Sequence, residues 1–179
     1  MVARARDGST HAFETLIGYY QIPLFRYAYR LLSDRGNAED DVHDTFIAAW
    51  RGLPTITDTA AFRGWIYRIA TRRAFDLLRS RRPQVEWPDE DDDQPSSMNS
   101  ESRDHNDPAR VTVERAQFEA LQQALATLPP QQRAAWSMQR IDGLSYDEIA
   151  VALSLPVSTV RGRIARARQS LTERMASWR

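Results

Sequence analysis

Four arginines at positions 161, 163, 166 and 168 alternate with Gly162, Ala165 and Ala167 near the C-terminal end of this 179-residue sequence. The guanidinium is a planar fork that meets phosphate oxygens and guanine edges bidentately, and small neighbours let a helix approach a groove closely. Val160, Ile164, Ala167 and Leu171 recur at intervals of four, three and four, which is the buried stripe of a helix. Gly162, Ala165, Arg166 and Gln169 then fall roughly opposite that stripe, with Arg161, Arg163 and Arg168 on its flanks. Such a face suits a helix that enters the major groove of DNA. The plain alternative is a solvated helix in an arginine-rich protein. A second group of cations, Arg63, Arg68, Arg72, Arg73, Arg79, Arg81 and Arg82, surrounds Trp65, Tyr67 and Phe75, with Asp76 the only acid among them. Aromatic rings among cations suit a single strand or a melting duplex, where bases unstack onto rings while arginines hold phosphates. Trp65 reads first as core; Tyr67 fits core and stacking equally well.

Other chemistries find no residues here. All 24 basic side chains are Arg, so a Walker loop, a kinase lysine and a Schiff base are excluded. Cysteine is absent, which removes disulfides, thiol nucleophiles and zinc fingers. His11, His43 and His105 have no metal-ligand spacing. A calcium loop starting at Asp89 would need Gly where Gln94 stands and Glu where Ser100 stands. Neither a catalytic residue, a metal site nor a cofactor is expected. The first residues lack the apolar stretch of a signal peptide, and no apolar run approaches the roughly 18 residues of a membrane span. The expectation is a soluble protein of the cytoplasm, with no membrane insertion and no small-molecule substrate.

The elements that must position these arginines read as helices throughout. Phe13, Leu16, Ile17, Tyr20, Leu24, Tyr27 and Leu31 form one stripe, in which Pro23 should kink or split the helix. Asn37 is expected to cap a second helix with Val42, Phe46, Ala49 and Trp50 on its apolar face. Thr57-Asp58-Thr59 offers caps for a third, whose stripe is Phe62, Trp65, Ile66, Ile69 and then Leu77 or Leu78. Residues 83–112 hold Pro83, Pro88, Pro95 and Pro108, dense acid and almost no aliphatic side chain, the composition of a disordered linker. Charge follows the same division. Residues 1–82 carry 13 Arg and 9 acids, residues 83–114 carry 2 and 10, and residues 115–179 carry 9 and 5. Two basic blocks flanking an acidic segment point to a polyanion partner. The last block restarts at Val113 with Phe118, Leu121, Leu125 and Leu128, and Pro129-Pro130 begins a further helix. Ser145 with Glu148 is a capping box, and Leu155-Pro156 breaks the short helix that follows. Two helices across a tight turn are a helix-turn-helix. The fold class is therefore all-α: two small helical domains, 1–82 and 113–179, joined by the acidic linker 83–112, each with a core modest enough to be marginal alone.

Ala38-Glu39-Asp40-Asp41-Val42-His43-Asp44-Thr45-Phe46 and Trp65-Ile66-Tyr67-Arg68-Ile69-Ala70 resemble the second conserved region of the group 4, or extracytoplasmic-function (ECF), sigma factors of bacteria. Leu128-Pro129, Gly143-Leu144-Ser145-Tyr146-Asp147-Glu148-Ile149-Ala150 and Pro156-Val157-Ser158-Thr159-Val160-Arg161 resemble their fourth region. The resemblance spans nearly the whole chain outside the linker, in order. It implies a dissociable RNA polymerase subunit rather than an enzyme, with core RNA polymerase (β′ clamp and β flap), promoter DNA and an anti-sigma factor as partners and a stress response as setting. It implies that Asp40, Asp41, His43 and Asp44 grip the clamp. Thr57, Asp58, Arg63, Tyr67, Arg68 and Arg72 would capture and open the −10 element. Ser158, Thr159, Arg161, Gly162, Arg163, Ala165 and Arg166 would read the −35 element. The sequence departs from the family at His43, usually Gln, at Arg72, often Asn, and at Ser154 and Ser158, often Gly; a left-handed turn residue other than Gly carries a cost. The acidic linker would thread a basic polymerase channel as a nucleic-acid mimic, or serve only as a spacer. A rival reading remains at this point: a helix-turn-helix regulator with an N-terminal dimerisation or sensing domain, which would bind a palindromic site without polymerase.

Overall fold

The structure, a computed structural model, describes residues 1–81 and 112–176, with side chains of the second segment from 118 to 174. The described residues form eight α-helices and two 3₁₀ turns and no strand: α1 (Val2–Arg6), α2 (Thr10–Leu32), α3 (Arg35–Gly52), the turns Leu53–Thr55 and Thr59–Ala61, α4 (Phe62–Arg81), α5 (Thr112–Ala126), α6 (Pro130–Arg140), α7 (Tyr146–Leu153) and α8 (Val157–Ala176). Apart from residue 112, where α5 already begins, the expected linker lies outside the described residues.

Of the kink or split expected at Pro23, the split does not occur: helix α2 runs through the proline as one helix. A proline removes one hydrogen bond and crowds the preceding turn, at a cost of roughly 3 kcal/mol. Leu24, Tyr27, Ala28 and Leu31, all fully buried just beyond it, offset that cost through packing. The helix ends at Ser33, whose left-handed backbone (φ 52°) lets its N–H reach the Tyr29 carbonyl. The cap of α3 is Asp34 rather than Asn37. The Asp34 carboxylate accepts the Asn37 N–H at 2.8 Å, so Asn37 lies inside the first turn as the donor that is capped. Asp58 likewise accepts the Ala60 N–H at 2.8 Å and starts the 3₁₀ turn that feeds α4.

The two helical blocks do not keep separate cores. Ala134, Ala135, Met138, Leu144, Ile149, Ala152, Val160 and Ile164 join the apolar cluster of α2, α3 and α4, while Leu125, Leu128, Ala167 and Leu171 form a smaller one. Helix α7 packs on α4, and α6 on α2. Small cores leave apolar faces unburied, and mutual packing covers them. Polar links reinforce this contact. Arg30 donates to the Asp142 carboxylate at 2.6 Å, with the two side chains only 3 % and 6 % exposed. Gln122 donates to the Tyr29 carbonyl at 3.1 Å, and the Tyr29 and Phe118 rings stack with centroids 5.9 Å apart. Arg133 is buried and donates to the carbonyls of Leu31 (2.8 Å), Ala126 (3.0 Å) and Leu128 (3.0 Å).

Candidate nucleic-acid interface

Helices α7 and α8 build the helix-turn-helix from local chemistry. Ser145 Oγ accepts the Glu148 N–H at 3.1 Å and the Glu148 carboxylate accepts the Ser145 N–H at 2.7 Å, completing the capping box. Helix α7 stops at Ser154, which takes the left-handed conformation (φ 55°) and donates its N–H to the carbonyls of Ala150 and Val151. Glycine would adopt that backbone freely; serine holds it at a cost of about 1 kcal/mol. Ser158 lies within α8 and needs no such geometry. Val160, Ile164, Ala167 and Leu171 are buried as the stripe requires. Ser158, Arg161, Ala165 and Arg166 are exposed, and Thr159, Gly162 and Arg163 half-buried, so the expected groove-facing surface is open to solvent along the first half of α8. The Arg161 guanidinium lies 5.2 Å from the centre of the Tyr146 ring, an attraction that restricts where the guanidinium can go.

Helix α4 divides its residues between two faces. Arg68, Arg72 and Arg79 share an exposed side, and Thr57 and Asp58 are exposed in the loop ahead of it. Arg63 lies on the side that meets α7, and Tyr67, one turn further on, faces Tyr27 of α2. Tyr67 is 2 % exposed, with its ring 5.2 Å from that of Tyr27, and burial pushes its phenol well above the usual range. The ring is core, and no base can stack on it in this arrangement; the stacking expectation for Tyr67 is corrected accordingly. Trp65 is half-buried beside Phe62, with centroids 5.8 Å apart. Arg63 donates to the carbonyls of Asp142 and, at 3.2 Å, Gly143, and lies 3.6 Å from the Glu148 carboxylate.

The four acidic-helix residues also part company. Asp40 and His43 are exposed on α3, and half-buried Asp44 pairs with Arg73. Ile22, Phe25, Ile47 and Trp50 line an apolar groove beside His43. Asp41 points the other way, 1 % exposed, and neither of its carboxylate oxygens makes a hydrogen bond. Burial raises its pKa to about 7, against the lowering effect of Arg73 and with a small rise from Asp44. It cannot touch a clamp from that position, which corrects its place in the expected contact set. The sequence also left Arg133, Gly64 and Tyr146 without a role. A signal existed for Arg133, because a cation in the first turns of α6 opposes the helix dipole and so implies an acceptor elsewhere. Gly64 gave none, since its partner lies more than 80 residues away.

Among the described residues no group of three or more His, Asp or Glu could hold a metal, and no helix is long and apolar enough to cross a membrane. Residues 16–84 match the family description "Sigma-70 region 2", and residues 118–171 match "Sigma-70, region 4". The RNA polymerase sigma-H factor of Pseudomonas aeruginosa is 33 % identical over 174 residues, 96 % of this chain and 90 % of that protein. The ECF RNA polymerase sigma-E factor of Escherichia coli is 32 % identical over 181 residues, 98 % of this chain and 92 % of that protein. Among solved structures, CnrH in complex with the cytosolic domain of CnrY superposes with a TM-score of 0.74 and 27 % identity, covering 98 % of this chain and 95 % of that one. The fold is also that of sigma factor RpoE from Bartonella quintana, solved with the anti-sigma factor NepR (TM-score 0.69, 22 % identity, 94 % and 99 % covered). Both conserved regions are present in order on one chain, on described residues that are helical throughout, so this protein belongs to the ECF group of sigma-70 family sigma factors, the subunits through which RNA polymerase starts transcription at chosen promoters.

Proposed function

We propose that this chain performs its family's work with a particular division of residues. Helix α8 reads the −35 element through Ser158, Thr159, Arg161, Gly162, Arg163, Ala165 and Arg166. The loop at Thr57 and Asp58, with Arg68 and Arg72, takes the −10 strand, and Arg63 joins them once α7 moves away. Asp40, His43 and Asp44 meet the β′ clamp, and the helix-turn-helix domain meets the β flap. The observation that carries this reading is the open arginine and small-residue face of α8, set on a buried stripe in a capped helix-turn-helix. The protein is not itself an enzyme and acts in the cytoplasm, where the polymerase is. An anti-sigma factor restrains it, a partner suggested by the CnrH and RpoE structures, both solved as complexes with a second protein. The acidic segment serves as a nucleic-acid mimic in the polymerase.

The decisive experiment mixes purified core polymerase with this chain on a fragmented genomic template and sequences the transcripts. New start sites that share an asymmetric two-part promoter are expected. Transcripts no different from those of core alone would refute the function.

The arginines of α8 should then separate by role. Loss of a base-reading arginine to Ala should cost about 1–3 kcal/mol and relax selection at one −35 position. Loss of a phosphate-holding one should weaken all promoters alike and flatten the salt dependence. Arg161→Ala, Arg163→Ala and Arg166→Ala are measured one at a time on a promoter library at several salt concentrations. Unchanged output from all three would remove α8 from the site.

A further inference from the structure

Arg161 is exposed in the first turns of α8, where a long, rotatable side chain has many directions open to it. Gripping a groove fixes that side chain, and the lost rotamer freedom weakens binding. The guanidinium of Arg161 already has a support. Its central carbon lies over the Tyr146 ring, 5.2 Å from the centre, within the range where the negative face of an aromatic ring attracts a cation. Among the described residues no side-chain hydrogen bond or ion pair competes for Arg161. The ring is itself held in place. Tyr146 opens α7 directly after the Ser145 cap, so the capping box of Ser145 and Glu148 fixes its backbone, flanked by buried Leu144 and Ile149. The same helix seats against α4 at Gly64, where a Cβ would stand 2.8 Å from the Glu148 carbonyl oxygen. The Tyr146–Arg161 pair needs no such neighbour: both residues belong to the helix-turn-helix and travel with it.

We infer that Tyr146 is a positioning residue for −35 recognition, its ring pre-setting the Arg161 guanidinium for the groove. The inference rests on the proposed reading of α8 as the −35 helix. A ring attracts a guanidinium that lies over its face, whereas the guanidinium N–H donors project within the guanidinium's own plane. Arg161 can therefore stay over Tyr146 and still present N–H groups to a guanine edge or a phosphate. Tyr146 acts through Arg161, and its hydroxyl takes no part. Holding a side chain in its bound conformation raises affinity by cutting the ordering cost. An exposed cation–ring contact corresponds to about a two- to fivefold change in an equilibrium constant, which sets the scale on which the ring should act.

A double-mutant cycle tests this in the full-length chain bound to core polymerase, with transcription from a promoter library randomised at the −35 element as the readout. Tyr146→Leu should lower output from −35-dependent promoters about two- to fivefold. Its profile across the −35 positions should be a weaker copy of the Arg161→Ala profile. In the Arg161→Ala background, Tyr146→Leu should change nothing further. Tyr146→Phe keeps the ring and loses only the hydroxyl, so it should retain the output and the −35 profile of the wild type.

A Tyr146→Leu defect that persists in full without Arg161 would mark a merely structural role and overturn the inference. A Tyr146→Phe defect as large as that of Tyr146→Leu would assign the effect to the hydroxyl, and wild-type output from Tyr146→Leu would show that Arg161 needs no support. Each of these results overturns the inference while leaving α8 as the −35 helix. If Arg161→Ala itself leaves −35 selection untouched, the place of Arg161 in the α8 reading falls and the positioning role falls with it.

Discussion

Arg133→Met should destabilise the protein by about 3 kcal/mol or more and lower its melting temperature by roughly 6–12 °C. The guanidinium spans the Leu31, Ala126 and Leu128 carbonyls at 2.8, 3.0 and 3.0 Å. These carbonyls sit at or just beyond the C-terminal ends of α2 and α5. Final-turn carbonyls have no partner within their own helix, and a cation there also meets the negative end of the dipole. One buried side chain thus closes two helices and ties the first domain to the second. Methionine fills similar space and donates nothing, so buried acceptors lose their partners at roughly 1–3 kcal/mol each. Arg133→Lys should recover little, since a single ammonium cannot match a fork reaching three oxygens. Urea and thermal unfolding of the three proteins settle the matter; a methionine variant melting within a degree of wild type would mean that these bonds contribute nothing net.

Asp41→Asn should stabilise the protein by about 2–4 kcal/mol at pH 8 and almost not at all at pH 4. The Asp41 carboxyl is 1 % exposed, without a hydrogen bond, and titrates near 7 in the fold against 3.8 in the unfolded chain. Between those values the folded form holds a proton that the unfolded form has released. Stability contributed by this group is complete below pH 4, falls as pH rises through that window, and is gone above 7. Asparagine resembles the protonated acid in shape and cannot ionise, so the variant should escape the loss. Arg73 keeps Asp44 as its partner, so no cation is stranded by the change. Urea unfolding at pH 4, 5, 6, 7 and 8 reads the slope directly. Parallel pH profiles for wild type and variant would show that Asp41 is not the titrating group.

Several parts of this molecule were written locally and could be read without coordinates. The four-three-four spacing of Val160, Ile164, Ala167 and Leu171 names the buried side of α8, and so the side left open to solvent. Ser145 and Glu148 are three residues apart and cap α7 wherever that helix is placed. Both cases depend on helical periodicity and on bonds within one turn, which sequence spacing determines. Asn37 shows the limit of this reading even at short range. Asp34 and Asn37 are both good caps, and the backbone, left-handed at Ser33 and extended at Asp34, selected the first. Pro23 shows a local rule outweighed by burial on the neighbouring turn. Tyr67 and Asp41 show what no local rule reaches, since both lie beside plausible ligand-binding neighbours in sequence. Their helices turn them toward Tyr27 and Arg73, 40 and 32 residues away in the chain. The sequence alone determined every helix but the short α1, together with their apolar stripes, the helix-turn-helix and the family. Only the tertiary structure decided that the two blocks share a core, that Arg30 finds Asp142, and that Gly64 admits α7. Those contacts join surfaces remote in sequence, and their free energy depends on shape and desolvation that no spacing of residue types records.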